Sequence, residues 1–173
     1  MTPTTDTLSL PWEVLAEFFP TEIEQATLLD GGKVNTTFRV TDSLGELSIL
    51  QRLGPPINPA MSEDYAVVAD HLKREGWEVA IPLRTRQQEL IVVDENDNNW
   101  RCYSYLESDN YPIPSSNTTL LAFAKMIGSL SFSLSGLDYT PKHSIPDFHD
   151  ADHIAKQLIS QLEIKLHEIA FAR

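Results

Sequence analysis

A glycine-containing segment in the first quarter of the chain has the composition of a phosphate-binding loop. Gly31 and Gly32 let the backbone take conformations closed to residues with a Cβ atom, so its N–H groups can approach an anion closely. Asn35 and Thr36 follow at once and add side-chain donors. The predicted loop residues are Gly31, Gly32, Lys33, Val34, Asn35 and Thr36. An ordinary hairpin turn is the alternative for the glycine pair.

A cation and an acid follow the loop at spacings that suit a bound nucleotide. Leu50 and Arg52 are two residues apart on a predicted strand, so they share one face. A nucleotide under the sheet would meet an apolar surface at its base and a guanidinium at its phosphates. Glu63 lies in the first turn of the next predicted helix and is expected to pair with Arg52. The structural alternatives are a surface arginine and an acid that serves the helix dipole.

Hydrophobic periodicity sets these residues on an α+β framework, with strands first and helices second. The antiparallel sheet is predicted to have five strands, at residues 25–29, 36–40, 47–53, 90–93 and 100–106. Helices are predicted between Pro11 and Pro20, from Pro59 to Gly76 with Asn58 as its cap, from Leu120 to Gly136, and from Ile154 to Ile169. The framework therefore consists of one sheet, one helix packed on it, and further helices.

Composition narrows the classes of function. The 173 residues fit a single core, and 25 acidic against 13 basic side chains give a net charge of −12. Such a surface disfavours nucleic acid and anionic membranes as partners. One cysteine, Cys102, cannot form an internal disulfide, and it is predicted to be a buried thiol. No unbroken apolar run reaches the roughly 18 residues of a membrane span, so a cytoplasmic protein is expected.

The order of these features resembles the N-terminal lobe of the kinase-like phosphotransferases typified by aminoglycoside phosphotransferases and choline kinases. The resemblance is closer to their N-acetylhexosamine 1-kinase branch. The matching segments are GGKVNTTF at residues 31–38, ILQRL at 49–53, VVADHL at 67–72, WRCYSYLE at 100–107 and IPDFHD at 145–150. Their joint order is far more specific than any one segment.

The resemblance implies a different role for each part of the chain. Residues 8–107 would be the nucleotide-binding lobe, and 108–173 the hinge, linker and first helices of a second lobe; residues 1–7 carry no apolar pattern and are predicted to be a disordered tail. The loop would cover the phosphates of ATP, and Arg52 would take the place of the third-strand lysine of protein kinases, partnered by Glu63. Backbone groups of Tyr105, Leu106 and Glu107 would meet adenine at the hinge. The loop lacks the full G-x-G-x-x-G spacing, and arginine is not equivalent to lysine.

The catalytic motif of the resembling family is missing from these residues. Its members carry an H-x-D-x-x-x-x-N loop in a C-terminal lobe, which supplies the catalytic Asp and a metal-binding Asn. Phe148-His149-Asp150 does not match it, since Ala155 stands where the Asn would be. We therefore expect no phosphoryl transfer by this chain alone, with ATP, Mg²⁺ and a sugar or amino-sugar acceptor belonging to the complete enzyme.

Two further hypotheses concern the second half of the chain. By the resemblance, Asp147 and His149 approach the acceptor; metal binding by His149 and His153 is an alternative, and capping of the last helix by Asp150 or Asp152 is favoured over it. The rival function is a non-catalytic domain that binds itself or a partner. It rests on the apolar faces of the helices from Leu120 and Ile154, which predict a homodimer.

Overall fold

The first helix is short and buries an apolar edge. In the computed structural model, which describes residues 11–30, 32–107, 116–145 and 150–160, α1 spans Trp12–Phe18 and begins after Pro11. Its buried side chains are Val14, Leu15 and Phe18, whereas Trp12 is 57% exposed. The helix thus presents its 14/15/18 edge to the core.

Three antiparallel strands form a meander, as predicted. They are β1 (Ile23–Leu29), β2 (Thr36–Asp42) and β3 (Leu47–Arg52). The β2–β3 turn is organised by Asp42, whose carboxylate accepts hydrogen bonds from the N–H groups of Leu44 and Glu46 at 2.9 Å each. Gly45 takes a φ of 81°, a conformation that glycine adopts without strain.

The second helix and three more strands complete the sheet. They are α2 (Met61–Arg74), β4 (Pro82–Leu83), β5 (Val92–Val93) and β6 (Asn99–Ser104). The strand order is β1-β2-β3-β6-β4, with β5 also paired to β6, so the sheet has six strands instead of the predicted five. The extra strand, β4, has two residues and therefore carries no periodic signal. The α+β class is confirmed.

The second helix starts later than predicted. Asn58 Oδ1 accepts a hydrogen bond from Ala60 N at 3.0 Å, which closes a turn ahead of the helix instead of capping it. The residue before the first helical position is Ala60, whose side chain makes no capping bond.

The two faces of the sheet have different coverings. Phe38, Leu50 and Cys102 are laterally paired on β2, β3 and β6, and they form the core with the buried edge of α1. The opposite face receives α2, whose Tyr65 ring meets Tyr103 edge to face at 5.3 Å. Because side chains alternate along a strand, neighbouring residues of β3 belong to different environments.

The third helix, α3 (Asn117–Ser135), buries none of its residues. Ser116 caps α3 by accepting a hydrogen bond from Thr119 N. Two hydrogen bonds join α3 to the end of α2: His71 Nε2 donates to Ser133 O at 2.8 Å, and Trp77 Nε1 donates to Ser133 Oγ at 2.9 Å. By length and composition alone, α3 is the one helix in the described residues that is long enough and apolar enough to cross a membrane. The criterion of an unbroken apolar run does not select this helix, because Lys125 and several serines interrupt the run.

The chain divides into two compact units, Met1–His143 and Ser144–Arg173. The described part of the second unit contains a helix at residues 151–160. Asp150 Oδ1 accepts from His153 N at 2.9 Å, so the predicted capping by Asp150 is confirmed. Asp147 and His149 lie outside the described residues, as does the predicted extension of the last helix beyond residue 160.

Candidate functional site

The glycine loop between β1 and β2 is closely packed. Gly31 lies outside the described residues. A Cβ atom on Gly32 would lie 2.5 Å from the Asn35 carbonyl oxygen, and one on Gly54 would lie 2.1 Å from the Val34 carbonyl oxygen. Both distances are far inside van der Waals contact. The loop therefore folds back on itself and presses against the chain that leaves β3, and glycine is required at both positions.

Two of the predicted phosphate donors hold the loop in place. Asn35 Oδ1 accepts a hydrogen bond from Gly54 N at 3.0 Å, and Thr36 Oγ1 accepts one from Arg52 Nη2 at 3.2 Å. These contacts tie the start of β2 to the end of β3. In both contacts the side chain acts as the acceptor. The N–H groups of the Asn35 amide and the hydroxyl proton of Thr36 are not used in them, so both side chains keep a hydrogen-bond donor.

The predicted Arg52–Glu63 ion pair is not formed. Arg52 shares a face with Leu50, as the alternation predicted, but that face is the core under α1, and Leu50 is fully buried there. Leu50 thus offers no open surface to a base. The helix that carries Glu63 contacts the opposite face, where Glu63 itself is exposed. Among the described residues, no carboxylate lies within ion-pair distance of Arg52.

The buried acid of α2 is instead the neighbouring residue, Asp64, which is 7% exposed. Its carboxylate accepts bonds from the Tyr139 hydroxyl, the N–H groups of Lys142 and His143, and His143 Nδ1 at 2.5–3.1 Å. The Lys142 N–H and the Tyr139 hydroxyl contribute most to lowering the pKa of Asp64 well below its usual range. Asp64 therefore fastens the segment after α3 to α2. The sequence indicates the burial of Asp64, though not its partners, by its spacing: Asp64 lies three residues after Met61 and four before Val68, on the same helix face.

A polar row crosses the sheet on the face opposite the core. Thr37, Gln51 and Arg101 are laterally paired on β2, β3 and β6. Gln51 Nε2 donates to Thr37 Oγ1 at 3.3 Å, and Arg101 Nε and Nη2 both donate to Gln51 Oε1, at 3.1 and 3.0 Å. No role is predicted for these three residues from the sequence. Their signal is a polar side chain at the matching position of three adjacent strands.

Two tyrosines border this row. The Arg101 guanidinium carbon lies 5.1 Å from the centre of the Tyr103 ring, which the Tyr65 ring also contacts. Burial raises the pKa of Tyr103 to about 12 and also raises the pKa of Tyr65, and the positive charge of Arg101 works against both shifts. The guanidinium is thus set in a fixed, aromatic surrounding.

The predicted hinge follows β6 at the other end of β3. Tyr105 N donates to Leu47 O at 3.3 Å, and Ser104 exchanges hydrogen bonds with Ile81. Tyr105, Leu106 and Glu107 line a cleft of about 630 Å³ beside the end of α2. The glycine loop and the hinge therefore lie at opposite ends of β3. Between them lies the sheet face opposite the core, on which Arg39 and Leu47 are exposed beside the part that α2 contacts; we call it the open face.

Two further kinds of site, a reactive thiol and a metal centre, have no support among the described residues. Cys102 is buried, as predicted, and burial raises the pKa of its thiol to about 12. Within residues 11–30, 32–107, 116–145 and 150–160, no three His, Cys, Asp or Glu side chains gather as a metal site would require.

Comparison with known proteins identifies the fold. No family model matches the chain, and no curated protein does so. Among solved structures, an amicoumacin kinase in complex with AMP-PNP, Ca²⁺ and Ami aligns with a TM-score of 0.59 at 16% identity, over 90% of this chain and 52% of that one. The sheet order and the flanking helices are thus those of a kinase-like N-terminal lobe.

Two phosphotransferases are matched over a smaller part. An aminoglycoside phosphotransferase from Alicyclobacillus acidocaldarius has a TM-score of 0.48 at 20% identity, and a spectinomycin phosphotransferase with ADP and its antibiotic has 0.44 at 16%. Each alignment covers 61% of this chain and 30% of the other. The chain therefore spans between about a third and a half of the proteins it resembles.

Proposed function

We propose that this chain is the nucleotide-binding lobe of a small-molecule phosphotransferase. The observation that carries the proposal is the placement of a tightly packed glycine loop and a hinge at opposite ends of one open sheet face, in a kinase-like fold. Backbone N–H groups of a glycine loop suit phosphate oxygens, and the backbone of a hinge suits the edge of a base.

The loop and the hinge divide the nucleotide between them. Gly31 to Thr36 would cover the phosphates, and the backbone of Tyr105, Leu106 and Glu107 would meet adenine. ATP is the nucleotide we propose, since the amicoumacin kinase of the same fold was solved with the ATP analogue AMP-PNP. The acceptor we propose is a sugar or amino sugar, which rests on the segment resemblance to the N-acetylhexosamine 1-kinase branch.

The chain alone is proposed to bind without transferring phosphate. Its 173 residues contain no H-x-D-x-x-x-x-N segment, and the described residues hold no cluster of acidic or histidine ligands suited to Mg²⁺. A metal-assisted step therefore cannot be derived from these side chains. In-line transfer needs a base, an acceptor and the metal held together, so positioning alone leaves the reaction incomplete.

Isothermal titration calorimetry tests the proposal. ATP with Mg²⁺ should bind the chain saturably at one site, and Gly32→Val should weaken that binding, because a branched side chain would strike the Asn35 carbonyl. An unchanged affinity in Gly32→Val would remove the loop from the site. Transfer of the γ-phosphate to N-acetylglucosamine by the chain alone would refute the proposed inactivity.

Self-association is a second candidate function, and α3 favours it. Its exposed apolar side chains are Leu120, Leu121, Phe123, Met126, Ile127 and Phe132. An apolar surface of this extent on one helix is typical of an interface. The proposed occupant is a second copy of this chain, which could form a symmetric helix pair.

A further inference from the structure

The open face of β3 changes character along its length. From the hinge end to the loop end, the side chains on this face are Leu47, Ile49 and Gln51. The strand is therefore apolar where the proposed site needs to cover a base and polar where it needs to meet phosphates. Four residues of strand extend about 13 Å, which suits an extended nucleotide laid along the strand.

The polar end of this face connects to the glycine loop. Thr37 Oγ1 lies 3.9 Å from the place where a Cβ of Gly32 would stand, and Gln51 donates to that same oxygen. Gln51 in turn receives two bonds from Arg101. A continuous line of polar groups thus leads from the loop glycine across two strands to one guanidinium.

That guanidinium has no anionic partner in the described part of the chain. Within the described residues, the contact at salt-bridge distance is between His143 Nδ1 and Asp64 Oδ2, and no carboxylate comes within 4.0 Å of Arg101. The side chain is half-buried in a molecule of net charge −12, where carboxylates are abundant. Neutral Gln51 and the Tyr103 ring fix its position without neutralising it, and the planar fork of arginine matches phosphate oxygens.

We propose that Arg101, positioned by Gln51, is the cation that binds the nucleotide phosphates, and that Arg52 is a structural residue. The inference rests on the proposed nucleotide-binding function and names the cation of that same site. Arg52 lies on the core face beside Trp100, bonded to Thr36, and cannot reach the open face without leaving the sheet's alternation. Arg101 lies on the open face, where it is bonded to Gln51 near the loop end of β3.

Calorimetric titration of four variants with ATP and, separately, with adenosine tests the assignment, with Mg²⁺ present throughout. Arg101→Met should weaken ATP about 10- to 100-fold, the worth of a charge-assisted contact, and change adenosine less than about twofold. Arg39→Met removes an exposed cation from the same face, and Arg52→Met removes the one on the core face. Both should stay within about threefold of the unmodified chain for ATP. Arg101→Lys, which keeps the charge but loses the fork, should fall between.

The outcomes separate this inference from the function on which it rests. If the unmodified chain binds neither ligand, the proposed function fails and Arg101 loses its role with it. If ATP binds and Arg101→Met leaves its affinity unchanged, the function stands and the inference is overturned. Equal loss of ATP and adenosine in Arg101→Met and Arg101→Lys would show a packing role, and an ATP-specific loss in Arg52→Met would return the role to Arg52; either result overturns the inference.

Discussion

At the scale of single residues, one position on α2 separates an exposed acid from a buried one. Glu63 is exposed, whereas Asp64 accepts hydrogen bonds from Tyr139, Lys142 and His143. Consecutive helical residues differ by about 100° in direction, so the two carboxylates face different surroundings. Asp64 thereby joins α2 to a segment more than 70 residues later, which no local sequence pattern indicates.

We expect Asp64→Asn to lower the midpoint of thermal unfolding. An amide has one acceptor oxygen, so it cannot serve all the donors that the carboxylate serves, and one buried donor loses its partner. Circular dichroism at neutral pH measures the change. Glu63→Gln is the matched control and should leave the midpoint unchanged. A midpoint for Asp64→Asn equal to that of the unmodified chain would show that the contacts carry no stability.

The same carboxylate makes stability depend on pH in a defined direction. The folded pKa of Asp64 lies below the unfolded value of 3.8, so its stabilisation is present above pH 3.8 and is lost as the pH falls through the folded pKa. The difference in unfolding free energy between the unmodified chain and Asp64→Asn should therefore shrink below pH 3.8. Urea unfolding at several acidic pH values measures it, and a difference that grows on acidification would contradict the assignment.

At the scale of elements, the glycine loop is held by contacts from a distant segment. The sequence pattern predicted a loop at the glycine pair and a strand on either side of it. It did not predict the role of Gly54, because the approach of Gly54 to Val34 exists only once β2 and β3 are paired. Close approaches of this kind arise from tertiary packing and leave no periodic signal. The two-residue β4 escaped prediction for the same reason.

Two glycine-to-alanine changes should have opposite effects on stability. Gly54→Ala places a methyl group against the Val34 carbonyl and should destabilise the chain by about 1–3 kcal/mol. Gly128→Ala lies within α3, where nothing stands within 4 Å of the new methyl group, and should stabilise it by about 0.5–1 kcal/mol. Chemical denaturation of both variants measures the two values. A stabilising Gly54→Ala would mean that the loop is not packed against β3.

The exposed face of α3 should drive association of two chains. Replacing both Leu121 and Phe132 by Glu should raise the dimer dissociation constant at least about tenfold, since each apolar side chain contributes roughly 1.5–3 kcal/mol when buried. Sedimentation velocity over a range of concentrations measures this. Thr118→Glu, at the exposed start of the same helix, is the control. A chain that stays monomeric at high concentration before any substitution would remove the self-association hypothesis.

At the scale of the whole molecule, local patterns predicted the class and the order of elements but not the faces. Apolar periodicity indicated α1, the meander, α2 and α3, since each signal lies within a few neighbouring residues. Which face of the sheet α1 covers and which α2 contacts depends on tertiary packing. The shared face of Arg52 and Leu50 follows from alternation along one strand, so it was predicted correctly. The Arg52–Glu63 pair depends on which face α2 contacts, and the structure does not show it.

The net charge of −12 bears on the proposed ligand as well. A molecule this acidic repels an anion at long range, so a nucleotide needs a local site with fixed donors. The glycine loop and the polar row on the open face provide donors of that kind. Raising the salt concentration should screen the long-range repulsion while the local contacts persist.

The central claim, that the open sheet face between the glycine loop and the hinge binds a nucleotide, is tested most directly by amide NMR. A ¹H–¹⁵N correlation spectrum recorded during titration with ATP and Mg²⁺ follows each described backbone N–H. Saturable shifts are expected at residues 32–37, at Gln51 and Arg101, and at residues 105–107. Shifts that concentrate on α1 and the core face, or a spectrum unchanged at millimolar ATP, would contradict the claim.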